Sequence, residues 1–154
     1  MKFASEAEFE EATIPFLNNH FVHWSFQIPN YNRVIDFGGT TNNNIMIGIE
    51  YKLKDWKKAM WQAVKHRLVF DFLYILIPKR KITQEMKNEA KKTGIGILLF
   101  DGISIKIVLK PKFQAYQWHI KKNIIKRWIK IVALHDRKEN MENLKKRIEQ
   151  FDRR

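Results

Sequence analysis

Between Phe70 and Ile77 the chain runs Phe-Asp-Phe-Leu-Tyr-Ile-Leu-Ile, and Pro78 closes the run. A stretch this short and this apolar reads as a strand with both faces covered, because a strand with one wet face alternates apolar and polar side chains. Such a strand needs a sheet with helices on both sides, which points to an α/β fold.

The flanking pattern supplies those layers. Ser5 as N-cap and acidic residues in the first turn predict a helix over 5–19, with Pro15 as a local defect. Strands are predicted over 21–28, 33–37 and 45–53, with Gly38-Gly39 and residues 40–44 turning the chain between the second and third. Asp55 caps a helix over 56–69 whose apolar stripe is Trp56, Ala59, Met60, Ala63, Val64 and Leu68. A helix over 83–93 ends at Gly94, a strand follows over 95–100, and Asp101-Gly102 turns into a strand over 103–109. Two helices close the chain, over 114–135 and over 139–151, the second with Met141, Leu144, Ile148 and Phe151 on its apolar side. Short loops make the first three strands antiparallel neighbours, and helical connections make the next ones parallel. The expectation is a mixed central sheet flanked by helices, with 1–112 as the α/β core and 113–154 as basic helices packed on the same domain.

Charge narrows the partner. The 154 residues carry 29 Lys and Arg against 16 Asp and Glu, a net charge of +13. Residues 1–50 hold two basic and six acidic groups, so the positive charge lies in the rest of the chain. A polyanion such as DNA is the expected partner. The longest unbroken apolar run, Phe72 to Ile77, is far short of the ~20 residues of a membrane span, and glutamates crowd the start where a signal peptide would be apolar. Cysteine is absent, which fits a cytoplasmic or nucleoid-associated setting. Gly94-Ile95-Gly96 opens a strand rather than a helix, so no nucleotide cofactor is expected. Histidines 20, 23, 66, 119 and 135 lack the spacing of a metal-binding pair.

One cluster carries chemistry. Along 45–53, Glu50 and Lys52 fall on one face, about 7 Å apart, and Gly48 beside them leaves room for a ligand. Asp36, on the adjacent short strand, reaches the same spot. Hard carboxylate oxygens suit Mg²⁺, which polarises phosphate and activates water, and a lysine positions the water or stabilises developing charge. An ordinary Glu–Lys pair on an open sheet face is the plain alternative, worth about a few tenths of a kcal/mol.

Asp36, thirteen intervening residues, then Glu50-Tyr51-Lys52 resembles the signature of the PD-(D/E)xK nucleases, whose fold is restriction-endonuclease-like. The resemblance covers roughly residues 5–109. It implies a metal-dependent DNA endonuclease in which Asp36, Glu50 and the Tyr51 carbonyl hold Mg²⁺ (Mn²⁺ substituting) and Lys52 is the catalytic lysine. It also implies a first-helix glutamate at the site, Glu10 or else Glu6, and a supporting glutamine, Gln62, on the following helix. Two positions depart from the pattern: Ile35 stands where the signature has proline, and His66 stands four residues after Gln62 where an aromatic is common. The small size resembles the junction-resolving branch, which implies a homodimer.

Lys122, Lys126 and Lys130, at i, i+4 and i+8, form a ladder that phosphates would relieve, with His119 and Arg137 near the same side and Trp118, Ile125, Trp128, Ile129 and Val132 opposite. Lys54, Lys57 and Lys58 extend the basic surface. Trp24, Trp56, Trp61 and Tyr116 are candidates for base stacking, though such aromatics are more often core. Two other readings compete with the nuclease: a non-catalytic DNA-binding protein on the same fold, and a membrane-surface or structural protein acting through its basic C-terminal helices.

Overall fold

The computed structural model describes residues 2–152, except for the side chains of 137–141, 143, 144, 147, 151 and 152. The elements run α1 (Glu6–Leu17), a single 3-10 turn (Asn18–His20), β1 (His23–Asn30), β2 (Arg33–Thr40), β3 (Met46–Tyr51), α2 (Trp56–Val64), β4 (Phe72–Pro78), α3 (Gln84–Thr93), β5 (Gly96–Phe100), β6 (Ile105–Leu109) and α4 (His119–Asp152). The six strands form one sheet in sequence order. β1, β2 and β3 are antiparallel, β3 to β5 are parallel through α2 and α3, and β6 returns antiparallel to β5. The mixed α/β class read from the sequence is thus the observed one.

Each face of the sheet has its own core. On one side Phe9 and Leu17 of α1 pack with Phe37, Ile49, Tyr51, Leu76, Leu98 and Phe100. On the other, α2, α3 and α4 contribute Met60, Met86, Ala90, Ile125 and Ile129 over Ile35, Leu73, Ile75 and Ile97. β4 sits between the layers with Leu73, Ile75, Leu76 and Ile77 all buried, as its uninterrupted apolar run requires.

Caps follow the sequence. The side chains of Ser5, Asp55 and Thr83 accept from the backbone N–H of Glu8, Lys58 and Met86, and Gly94 ends α3 in the left-handed region at φ 76°. Three expectations are corrected. Gly38 and Gly39 lie inside β2, paired on both sides, rather than in a turn. A Cβ on Gly39 would stand 2.5 Å from Phe21, so close packing explains the glycine. α2 stops at Val64, and the N–H groups of Lys65, His66 and Arg67 bond three residues back, so 65–69 is a tightened turn that leaves Leu68 exposed. The C-terminal segment is one helix starting at His119, since neither proline nor glycine interrupts it. Met141, Leu144 and Phe151 of the expected apolar side, and Arg137, lie outside the described residues.

A latch docks α4. Asp71, just before β4, accepts from Met46 N (2.7 Å), Gln117 Nε2 (2.8 Å) and Lys122 Nζ (2.5 Å). These bonds hold the Asp71 carboxyl below its usual range despite burial, which pulls the other way. Among the described residues no helix is long and apolar enough to cross a membrane.

Candidate functional site

A fault in strand alternation places Asp36. Residues two apart on a regular strand share a face. Here Phe26 and Phe37 join the α1-side core, whereas Ile28 and Ile35 join the opposite one. Between them Gln27 takes φ 53°, a left-handed backbone rare outside glycine. The β1–β2 ribbon therefore turns at Gln27 and Asp36, and the Asp36 carboxyl swings toward the end of β3. Its Oδ2 accepts from Tyr51 N at 2.8 Å.

Four carboxyl groups gather around this point. Glu50, 3% exposed, ends β3 beside Asp36. Burial pushes Asp36 up to about 7, with the neighbouring Glu50 charge adding to it and the Tyr51 N–H bond opposing. Burial likewise pushes Glu50 up to about 7, against hydrogen bonding by Asp36 and the Lys52 charge. Glu10, half-buried on α1, is raised to about 7 by burial, then by the charges of Asp36 and Glu6. Glu6, one helical turn earlier, accepts from Lys52 Nζ at 3.1 Å.

Lys52 stands one residue beyond β3. Its N–H still bonds the Leu76 carbonyl on β4 (3.3 Å), while its side chain, 19% exposed, crosses to α1. α1 is itself pinned to β3 by the 2.7 Å bond between Thr13 Oγ1 and Tyr51 OH and by the edge-on packing of Phe9 against Tyr51. Glu10, Asp36, Glu50 and Lys52 are thus brought together, and Glu6 joins them.

Sequence reasoning left two residues out of the site. His66 is 2% exposed, and its Nε2 lies 3.5 Å from Glu50 Oε1. Asn30, at the end of β1, donates from Nδ2 to His66 Nδ1 at 2.8 Å. Burial, then the nearby Arg33 charge, depresses His66 to about 4, so the ring is neutral near pH 7. His66 lies in the turn after α2, so helical spacing from Gln62 does not place it. Gln62 itself is half-buried on α2, with no hydrogen bond to the carboxylates among the described residues.

Gly48 has the opposite outcome. A Cβ there would stand 2.5 Å from Ile35 Cδ1 and 2.8 Å from Leu73 Cδ2. The space is filled by core side chains, not open to a ligand.

The chemistry of this donor set suits a divalent cation. Three carboxyls with raised pKa values lie together, and Glu50 Oε1 is buried without a hydrogen-bond partner. Among the described residues no group of three or more His, Asp or Glu side chains is placed to hold a metal ion. Mg²⁺ needs only one or two carboxylates, because it keeps several of its waters.

The basic side chains divide. Lys54, Lys58 and Lys130 are exposed. Lys57 is exposed and paired with Glu85. Lys122 is only 13% exposed and belongs to the Asp71 latch, because its ammonium is needed to balance that buried carboxylate. Lys126 is half-buried, and burial lowers its pKa. The ladder expected on α4 is therefore not a free row of ammonium groups. Trp56 is core and Trp24 stacks on Phe37, whereas Trp61 and Tyr116 are exposed at 62% and 89%.

No family model matches the chain, and no curated protein sequence does. A solved structure of a protein of unknown function from Silicibacter pomeroyi is similar, with TM-score 0.65 at 14% identity, over 88% of this chain and 90% of that one. At that identity the likeness is one of fold. Shorter overlaps occur with an EndoMS–double-stranded DNA complex (TM-score 0.49, 14% identity, 66% of this chain and 48% of that one) and with a repair endonuclease from Pyrococcus abyssi (0.41, 14%, 63% and 47%). The chain spans about half the length of these last two.

Proposed function

We propose that the chain is a metal-dependent nuclease of the PD-(D/E)xK type that hydrolyses phosphodiester bonds in DNA. The observation that carries this reading is the half-buried Asp36 set against the buried Glu50, with Glu10 nearby and Glu50 Oε1 lacking a hydrogen-bond partner. Carboxylates buried together are costly unless protonated or paired with a cation.

Asp36 and Glu50 would hold Mg²⁺, with the Tyr51 carbonyl as a further ligand and Mn²⁺ able to substitute. When bound, the ion supplies Lewis acidity toward a phosphate oxygen and neutralises negative charge. Asp36 is fixed for this role by its bond from Tyr51 N. Lys52 donates from Nζ toward the attacking water or the phosphate oxygen, and Glu6 holds that ammonium in place. Glu10, half-buried on α1 near Asp36, would support the metal ligands. Lys54, Lys57, Lys58 and Lys130 supply exposed positive charge for the phosphate backbone.

The test is a panel of duplex, single-stranded, flapped and four-way DNA with Mg²⁺, Mn²⁺ or EDTA. Cleavage with either metal, lost in Asp36→Asn and Glu50→Gln, is expected. Salt-sensitive binding with no product under either metal would instead favour a non-catalytic DNA-binding protein.

A further inference from the structure

We infer that Asn30 and His66 form a buried relay that orients Glu50 as a cation ligand. This rests on the metal site proposed above but concerns residues that the motif does not include.

With Asn30 Nδ2 turned to His66 Nδ1, 2.8 Å away, the amide donates and Nδ1 accepts, while Asn30 Oδ1 stays buried without a partner. A neutral imidazole with Nδ1 accepting carries its proton on Nε2. That nitrogen lies 3.5 Å from Glu50 Oε1, and Oε1 has no hydrogen-bond partner. All three residues are at least 94% buried, so water does not set their orientation. They come from three elements: β1, the turn after α2, and β3. Asn30 is fixed at the strand end by pairing with Arg33 across the β1–β2 hairpin.

Such an arrangement does for a carboxylate ligand what outer partners do in metal sites generally: it restricts the carboxylate's orientation without adding a ligand. A neutral donor also leaves the carboxylate's charge for the cation. His66 is a positioning residue, acting through Glu50, and not a catalytic one.

The experiment measures Mn²⁺ binding by calorimetry at pH 8 in the metal-free full chain, with thermal unfolding as the folding check. The variants are His66→Phe, which fills the space without a donor, and His66→Gln, which keeps an N–H. Relative to the parent, His66→Phe is expected to weaken Mn²⁺ about 10- to 100-fold, and His66→Gln is expected to recover most of that loss. Asn30→Ala, which leaves the ring but frees its tautomer, is expected to fall between and replaces His66→Phe if that variant does not fold. Folded His66→Phe and Asn30→Ala variants that bind Mn²⁺ as the parent does would overturn the relay and leave the metal site standing. A parent chain that binds no Mn²⁺ would overturn both.

Discussion

Lys52 Nζ stands 3.1 Å from Glu6 Oε1, which ties the lysine that follows β3 to the first turn of α1. The pair is partly exposed, at 19% and 41%, so it adds little to stability. Its effect is on where the ammonium points. Glu6→Gln is expected to lower the single-turnover cleavage rate by about tenfold, equivalent to ~1.4 kcal/mol of barrier, while leaving DNA affinity and melting temperature near the parent's. Rapid-quench kinetics beside a binding assay check this.

The carboxylate cluster makes metal-free stability fall as pH rises. Unfolded carboxyls titrate near ~4, whereas Glu10, Asp36 and Glu50 titrate at about 7 in the folded chain. Between these limits the folded state holds protons that the unfolded state has released, so each step up in pH disfavours folding. Melting in EDTA should therefore decline from about pH 4 to about pH 7. Mg²⁺ binds the ionised form and should raise the melting temperature at pH 8 far more than at pH 5. Glu50→Gln should flatten the decline. Scanning calorimetry across pH with and without Mg²⁺ reads all three.

Two stability predictions separate packing from function. Gly48→Ala forces a methyl against Ile35 and Leu73 and should cost about 1–3 kcal/mol by urea denaturation. Asp71→Ala strands the largely buried Lys122 and frees Met46 N and Gln117, and should cost about 3 kcal/mol.

The exposed and engaged lysines should behave differently toward DNA. Lys58→Ala and Lys130→Ala are each expected to reduce the slope of log affinity against log salt by about one. Lys122→Ala should lower the urea midpoint instead, because its partner is Asp71 rather than phosphate. Fluorescence anisotropy over a salt series distinguishes them.

The sheet was legible because apolar periodicity and loop length are local signals. β4 announced itself by burial on both faces, and strand direction followed from connection length. Gly48 was misread because an absent side chain does not reveal what fills the space, and here Ile35 and Leu73 arrive from other strands. The turn at Gln27 depends on the sign of φ, which a glutamine does not advertise. The division of the C-terminal helix between 135 and 139 falls where neither proline nor glycine breaks it. Lys122 looked free because Asp71 is 51 residues away in sequence. Asn30 and His66, 36 residues apart, could be joined only by the fold.

Lys52, near Asp36 and Glu50, is the residue proposed to serve phosphodiester hydrolysis. The direct measurement is Mg²⁺-dependent DNA cleavage by the parent and by Lys52→Ala, each verified as folded and DNA-binding. Cleavage by the parent, with a loss of at least about a hundredfold in Lys52→Ala, is the predicted result. Equal cleavage by the two proteins, or none by the parent on any DNA form, would contradict the account.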